Sequence, residues 1–291
     1  MVDISLGDTI TISGAGAAVE GSTVTIGAAG VYRISGTLDS GALVVDAKGK
    51  VYLEFRGVSI TSASGPALLV RDAKKVVVTL AEGSDNRLAD TAGGSDDTAA
   101  LYTNDTLLVN GKGTLVVVGN NNEAISSDDD IIINSGTLCV TAVDDGLNAH
   151  DDITVNGGHL TVMAGGDGLD SNGTVHINGG TLVTFGGTTA GEGGIDALGA
   201  FVVTGGTVVA GGSTVATVSP ESKQGTICVT AGSVQPEGTA LLLSRDGEGV
   251  FSYTPEAAYR TLFVSCPDLV MGAEYRAYLG GGAGIVVVAT R

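Results

Sequence analysis

A repeat of about 22 residues is the feature of this sequence that most constrains its fold. Five units follow one another, and each carries an apolar anchor, a second apolar position eight residues later, a glycine turn and a third apolar position. The anchors, spaced 24, 22, 22 and 26 residues apart, are Leu101, Ile125, Leu147, Leu169 and Ile195. A chain that repeats itself at such a period builds stacked units, each of which packs on its neighbours.

The pattern inside each unit is that of short strands. Apolar and polar residues alternate, as in the TLVT sequence of residues 181–184, which is the period of a strand and not of a helix. Three such strands cannot enclose a core alone, but units stacked at about 4.8 Å pair every strand with its counterparts above and below. With 47 glycines, no Trp and 4% aromatic residues, the composition is typical of stacked strands and tight turns. The sequence predicts an all-β fold, a right-handed single-stranded parallel β-helix.

The chain divides into a long solenoid and a terminal segment. Residues 1–215 are predicted to form the parallel β-helix, with clear coils at 99–215 and a polar loop at 83–98 that breaks the period. Residues 216–291, with hairpin-like runs at 240–244 and 249–253, are predicted to form a β cap of the same structural domain. Such a cap would cover the open strand edges of the last coil.

Charge excludes some classes of partner. The chain has 32 acidic and 14 basic residues and a formal net charge of −18, which argues against binding to nucleic acid phosphates. No apolar run approaches the roughly 20 residues of a membrane-spanning helix, so we expect no membrane insertion. Residues 1–7 lack the basic and apolar parts of a signal peptide, which is consistent with a cytosolic protein or with a mature form whose leader has been trimmed.

Acidic residues recur in register when the units are aligned by their anchors. Stacked carboxylates about 4.8 Å apart repel by roughly 1 kcal/mol in water and by about 3 to 4 kcal/mol at an effective dielectric of 20. Residues 113–222 contain thirteen Asp and Glu and not one Lys or Arg, so compensation by basic neighbours is ruled out within this span. The repulsion must therefore be relieved by a bound cation, by protonation of the carboxylates or by side chains that turn apart into solvent.

Oxygen ligands of this kind favour Ca²⁺ over a transition metal, which prefers imidazole or thiolate. We therefore predict bound calcium. The expected ligands are Asp144, Asp145, Asn148, Asp167 and Asp170, with Asp196 in the same register, and a second cluster of Asp128, Asp129, Asp151 and Asp152. The alternative is that these Asp and Asn residues only form turns through hydrogen bonds from side chain to backbone.

No catalytic constellation is evident along the coils. A lyase pairs calcium with a basic residue that abstracts a proton, and residues 113–222 lack Lys and Arg. An inverting hydrolase needs two carboxylates about 6.5 to 9.5 Å apart, which stacked Asp residues could supply. The sequence thus favours a binding protein over a polysaccharide lyase or glycoside hydrolase, and a structural surface adhesin is a further alternative.

Several stretches resemble a known family, the bacterial carbohydrate-binding β-helix proteins, whose founding member is a clostridial cell-surface protein. They are GVYRISGTL at 30–38, LAEGSDN at 80–86, DGL at 145–147 and 167–169, VSCP at 264–267 and GAEY at 272–275. The resemblance covers roughly residues 8–282. The resemblance implies a right-handed β-helix solenoid similar to pectate lyases, bound calcium and binding of an acidic plant cell-wall polysaccharide such as polygalacturonate, without established cleavage. Family members are usually exported, so the resemblance implies a secreted or cell-surface protein.

Overall fold

The computed structural model describes residues 1–93 and 99–290, and its regular elements are all β-strands. No helix long and apolar enough to cross a membrane occurs in these residues. In chain order the strands are β1 (Val2–Leu6), β2 (Thr11–Ser13), β3 (Ala17–Glu20), β4 (Thr23–Ile26), β5 (Gly30–Leu38), β6 (Ala42–Asp46), β7 (Lys50–Thr61), β8 (Leu68–Asp72), β9 (Lys75–Leu80), β10 (Asp85–Ala89), β11 (Leu101–Thr103), β12 (Leu107–Gly111), β13 (Thr114–Gly119), β14 (Ile125–Ser127), β15 (Ile131–Ile133), β16 (Thr137–Ala142), β17 (Leu147–Ala149), β18 (Ile153–Val155), β19 (His159–Ala164), β20 (Leu169–Ser171), β21 (Val175–Ile177), β22 (Thr181–Phe185), β23 (Ile195–Ala197), β24 (Phe201–Val203), β25 (Thr207–Gly212), β26 (Thr226–Gln235), β27 (Leu241–Arg245), β28 (Glu248–Tyr253), β29 (Tyr259–Ser265), β30 (Glu274–Leu279) and β31 (Ile285–Val288).

The strands stack into three parallel faces. Face 1 consists of β4, β6, β8, β11, β14, β17, β20 and β23. Face 2 consists of the first halves of β5 and β7 and of β9, β12, β15, β18, β21 and β24. Face 3 consists of the second halves of β5 and β7 and of β10, β13, β16, β19, β22 and β25. The chain is therefore a parallel β-solenoid of about 7 turns, which confirms the predicted fold class.

The predicted anchors are the register of face 1. Leu101 pairs with Ile125, which pairs with Leu147, and the ladder continues through Leu169 to Ile195. Each of these side chains is at most 1% exposed. Because successive residues of a strand point to opposite sides, burying the anchors turns the middle residue of each three-residue strand outward. Face 1 thus carries an outward column of side chains that is free to be polar.

One part of the predicted polar loop is wrong, because Asp85–Ala89 form strand β10. β10 pairs in parallel with β7 and β13 and completes face 3. Its polar residue Asn86 is 3% exposed, and its side chain bonds the backbone N–H groups of Gly57 and Val58 and the carbonyl of Thr114. A buried amide satisfied in this way is tolerated inside a coil. Residues 94–98 of the predicted loop lie outside the described residues.

The C-terminal strands cover both the end and one side of the solenoid. β29 and β26 continue face 3 as antiparallel strands beyond β25. A second antiparallel sheet, in the order β28-β27-β30-β31, packs on the outer surface of the last coils. Phe185 and Val209 point outward from face 3 and join Leu241, Leu243 and Tyr275 in a second hydrophobic core. These strands therefore bury apolar side chains that would otherwise face water.

Candidate functional site

The candidate site lies where the chain passes from face 3 to face 1 in the coils around Leu147, Leu169 and Ile195. The backbone approaches itself so closely in these turns that glycine is required. A Cβ on Gly146 would lie 2.5 Å from the carbonyl oxygen of Gly168, and one on Gly168 would lie 2.6 Å from the carbonyl oxygen of Gly194. The sequence Asp-Gly-Leu therefore fixes the backbone path and sets the preceding carboxylate at the same place in successive coils.

The two aspartates of these turns, Asp145 and Asp167, each accept a hydrogen bond from the backbone of the next coil. Oδ1 of Asp145 accepts the backbone N–H of Asp167 at 2.6 Å, and Oδ1 of Asp167 accepts the N–H of Gly193 at 2.6 Å. Nδ2 of Asn148 donates to Oδ2 of Asp145 and to Oδ2 of Asp170, both at 3.2 Å. Oδ2 of Asp167 receives no hydrogen bond from the described residues, so this oxygen is available to a ligand.

Carboxylate oxygens converge around Asp167. Oxygens of Asp145, Asp167 and Glu192 lie within 4.8 Å of one another, and so do oxygens of Asp167, Asp170 and Asp196. Asp167 belongs to both groups and is 9% exposed, whereas Asp196 is exposed to solvent. We call the five residues of these two groups the acidic cluster.

A glycine keeps the space beside the cluster open. Gly166 occupies the position held by Asp144 one coil earlier, and its backbone N–H donates to the carbonyl of Asp144 at 3.0 Å. A Cβ on Gly166 would lie 2.5 Å from Oδ1 of both Asp144 and Asp145. The predicted ligand Asp144 thus borders the cluster without belonging to either group.

Burial and mutual repulsion make the cluster a poor place for unbalanced negative charge. Burial, and next the Asp145 carboxylate, raises the pKa of Asp167 to about 8, although the Gly193 hydrogen bond lowers it. Burial, and next Asp145 and Asp196, raises the pKa of Asp170 to about 6. Burial also raises the pKa of Asp145 and of Glu192. Nearby positive charge would remove this penalty, and the sequence supplies none from 113 to 222.

The donor set fits a hard divalent cation. Every donor atom of the acidic cluster is a carboxylate oxygen, and neither group contains His or Cys. Ca²⁺ takes about 6 to 8 oxygen ligands in flexible geometry, commonly several carboxylates together with waters, whereas transition metals select nitrogen or sulfur. The space over Gly166 and the unbonded oxygen of Asp167 add room and a free ligand atom.

The second predicted cluster lies on the opposite side of face 1, in the turns that lead to face 2. Oδ2 of Asp128 accepts the hydroxyl of Tyr102 at 2.7 Å, and Oδ1 of Asp152 accepts the N–H of Thr174 at 2.7 Å. Asp128, Asp129, Asp151 and Asp152 contribute to no group of three ligand atoms within 4.8 Å among the described residues. Their contacts are those of the turn alternative.

The sequence reasoning missed Glu192. The columns that were compared began two residues before the anchor, and Glu192 lies one residue outside them. Counting back from the anchor would have found it, because Glu192 is three residues before Ile195, as Asp144 is three before Leu147. Gly166 occupies that position in the coil between, which lets Glu192 reach Asp145 and Asp167.

Comparison with known proteins places this chain in a family. The sequence profile of the family described as carbohydrate-binding domain-containing protein matches residues 20–250. A relative of the same description from Acetivibrio thermocellus is 30% identical over an alignment of 137 residues, and the match covers 44% of this chain and 48% of the relative. The chain therefore spans about half the length of this curated relative.

A solved structure is also similar. It is that of a polysaccharide lyase-like protein from C. thermocellum, determined as a gadolinium derivative. It superposes with a TM-score of 0.59 at 27% sequence identity, over 70% of this chain and 90% of that chain. The family match covers well over half of the sequence and includes the whole acidic cluster. The protein belongs to the family of carbohydrate-binding domain-containing proteins.

Proposed function

We propose that the protein binds acidic plant cell-wall polysaccharide, such as polygalacturonate, through bound Ca²⁺ and without cleaving it. The observation that carries the proposal is the convergence of four other carboxylates on Asp167 in a stretch without Lys or Arg. Membership of a carbohydrate-binding family supports a glycan as partner.

Calcium would be held by Asp167 together with the other two carboxylates of one of its groups, either Asp145 and Glu192 or Asp170 and Asp196. It would neutralise the stacked carboxylates and so stabilise the coils that carry them. Asp196 is exposed, so the cluster opens to solvent on face 1. Because three carboxylates leave coordination positions of Ca²⁺ unfilled, a uronate carboxylate could enter them in place of water. The cation would then bridge two anions that repel each other directly.

Affinity electrophoresis in gels containing polygalacturonate tests this proposal. We expect retardation in calcium and none in chelator. Asp167→Asn keeps an oxygen for the Gly193 N–H but removes the charge, and it should weaken retardation by about tenfold or more. Asp151→Asn is the matched control, because it removes an acidic residue outside both groups. Retardation that chelator leaves unchanged would rule out calcium bridging.

A polysaccharide lyase or glycoside hydrolase is the second candidate. The raised pKa of Asp167, about 8, beside the carboxylate of Asp145 resembles the pairing of a protonated acid with an ionised partner in glycosidases. The likeness to a solved polysaccharide lyase-like protein also supports testing for cleavage. New reducing ends or an unsaturated product absorbing in the ultraviolet would establish an enzyme. Their absence across a broad glycan panel would leave binding as the function.

Two further parts of the proposal have their own tests. A secreted or cell-surface location predicts that the native protein is recovered from the medium or the cell envelope and not from the cytosol. A purely structural adhesin predicts melting that depends on calcium with no affinity for any glycan. Binding of polygalacturonate would reject that last alternative.

A further inference from the structure

The outer surface of face 2 carries, at its N-terminal end, a short apolar column with one exposed aromatic residue. Val51 and Leu53 are fully buried, so the residue between them, Tyr52, points outward and is 42% exposed. Its partner in β5 is Val31, which is 38% exposed, and its partner in β9 is Val77, which is 9% exposed. Together they form a small apolar platform with an aromatic ring at its centre.

Two lysines flank this platform on one side. Lys50 precedes Tyr52 by two residues, so both side chains leave the same side of β7. Lys50 pairs in register with Lys75 of β9, which brings the two lysines onto adjacent coils about 4.8 Å apart along the backbone. Neither takes part in an ion pair with the described residues. Their stacked charges repel each other, as the stacked carboxylates of the acidic cluster do.

The other side of the platform is electrically balanced. Glu54 forms an ion pair with Arg33 at 3.3 Å and another with Arg56 at 2.6 Å. Arg33 also forms an ion pair with Asp3 at 3.6 Å. The uncompensated positive charge beside Tyr52 is therefore confined to the lysine side. An aromatic ring next to such charge complements a molecule that has an apolar face and carboxylates at regular intervals.

We propose that this surface is a second glycan-binding site, in which Tyr52 stacks on the apolar face of a sugar ring and Lys50 and Lys75 bind carboxylates of successive uronate residues. The inference rests on the proposed function for the kind of polymer. The mechanism of binding at this second site differs from that proposed for the acidic cluster, because the second site needs no cation. An exposed tyrosine presents both a ring face and a hydroxyl, which suits sugar contact. The occupant is acidic glycan because two unpaired lysines require anions.

The new site is separate from the acidic cluster. It lies on face 2, about four coils or roughly 19 Å along the axis from the coil of Asp145, whereas the cluster adjoins face 1. A short oligomer would occupy one site at a time. A long polymer that reaches both would be held more tightly than by either site alone.

The test compares variants of the full chain in gels containing polygalacturonate at a fixed saturating calcium concentration. Lys50→Gln with Lys75→Gln should weaken retardation by about tenfold, the loss expected for hydrogen bonds between charged groups. Tyr52→Ala should weaken it by a similar factor, about fivefold to tenfold, and Tyr52→Phe should not. Lys112→Gln with Lys223→Gln removes the same charge elsewhere and serves as the control. The melting shift produced by calcium should be unchanged in all of these variants.

Fully methyl-esterified polygalacturonate is the matched ligand, because it keeps the sugar chain and lacks the carboxylate charge. On this polymer the lysine variants should behave like the unmodified protein, and Tyr52→Ala should still weaken binding. If the unmodified protein is retarded but the lysine and tyrosine variants match it, this second site is wrong and the proposed function stands. If the unmodified protein is not retarded at all, the proposed function itself fails. Sedimentation showing a dimer that the lysine variants dissociate would assign the surface to chain association and overturn the inference.

Discussion

Two polar columns run through the same coils and solve the problem of stacking in opposite ways. At the turns between faces 2 and 3, Asn134 donates to Asn110 at 2.9 Å, Asn156 to Asn134 at 2.8 Å and Asn178 to Asn156 at 2.9 Å. Thr204 completes the ladder by donating to Asn178 at 2.7 Å. An amide carries both donors and an acceptor, so each copy satisfies the next and no charge accumulates.

The acidic cluster cannot do the same. A carboxylate only accepts, so Asp145 and Asp167 take backbone N–H groups from the next coil, and Asn148 joins Asp145 to Asp170. These bonds occupy some oxygens and leave the negative charge in place. Amides therefore serve solenoid packing better than carboxylates do, and a stacked group of carboxylates in the same coils supports the proposal that a cation binds there.

The largest expected effect comes from adding a methyl group to a turn that carries the acidic cluster. Gly168→Ala would bring Cβ 2.0 Å from Oγ1 of Thr184 and 2.6 Å from the carbonyl of Gly194, both in the buried interior. We expect the free energy of unfolding to fall by about 3 kcal/mol or more. Gly157→Ala, beside the amide ladder, meets only the carbonyl of Asn134 at 2.9 Å and should cost about 1 kcal/mol. Urea denaturation measures both, and equal losses would contradict the tighter packing of the acidic turn.

The next effect is a pH dependence of the free energy of unfolding that arises in the acidic cluster. Because the pKa of Asp167 is raised to about 8 in the folded protein, stability from its bound proton is fully present below the unfolded pKa, near 4. That stability is lost as the pH rises through about 8. In chelator we expect the free energy of unfolding to fall by on the order of 2 kcal/mol between about pH 5 and pH 8.5.

Two controls make this pH dependence specific. Asp167→Asn should make the profile shallower, because the amide does not titrate, and should leave the smaller dependence that comes from Asp170, whose pKa is raised to about 6. Calcium should stabilise the unmodified protein increasingly as the pH rises, since the carboxylates must lose protons to bind it. A profile in chelator that Asp167→Asn leaves unchanged would mean that other groups carry the pH dependence.

The smallest effect comes from placing a carboxylate in the amide ladder. Asn156→Asp keeps the acceptor for Asn178 but loses the donor to Asn134, and it should destabilise the protein by about 1 to 2 kcal/mol at neutral pH. Acid should restore part of this loss by protonating the new carboxyl group. Asn172→Asp is the control, since Asn172 is exposed and its side chain makes no hydrogen bond with the described residues. Equal melting of the two variants would show that the ladder contributes no stability.

Much of this arrangement could be predicted from the sequence, because in a solenoid the sequence period is also the spatial register. The anchors from Leu101 to Ile195 pair as the alignment of repeats required. The same alignment brought Asp145, Asn148, Asp167 and Asp170 together, and the structure places them in contact. Register therefore carries the side chains of neighbouring coils into one site.

Three features could not be predicted, because each depends on contacts between residues that lie far apart in the sequence. Strand β10 was missed because Asp85, Asn86 and Arg87 look like a loop until the contacts that satisfy Asn86 are known. Glu192 was missed because it lies three residues before its anchor, outside the columns that were compared, and the coil between it and Asp144 has Gly166 at that position. The packing of the terminal strands on the outside of face 3 was not predicted, because it joins Phe185, which points outward from its strand, to Leu241, Leu243 and other residues far along the chain.

The most direct test of a cation at the acidic cluster is an anomalous diffraction map from crystals grown with Ca²⁺ or with Tb³⁺ in its place. We expect a peak within about 2.3 to 2.6 Å of carboxylate oxygens that include one from Asp167, with further ligands from Asp145 or Asp170. A map with no peak at the acidic cluster, and with Asp167 bonded only by the N–H of Gly193, would contradict a cation site. The cluster would then be a turn whose carboxylates are held protonated by burial.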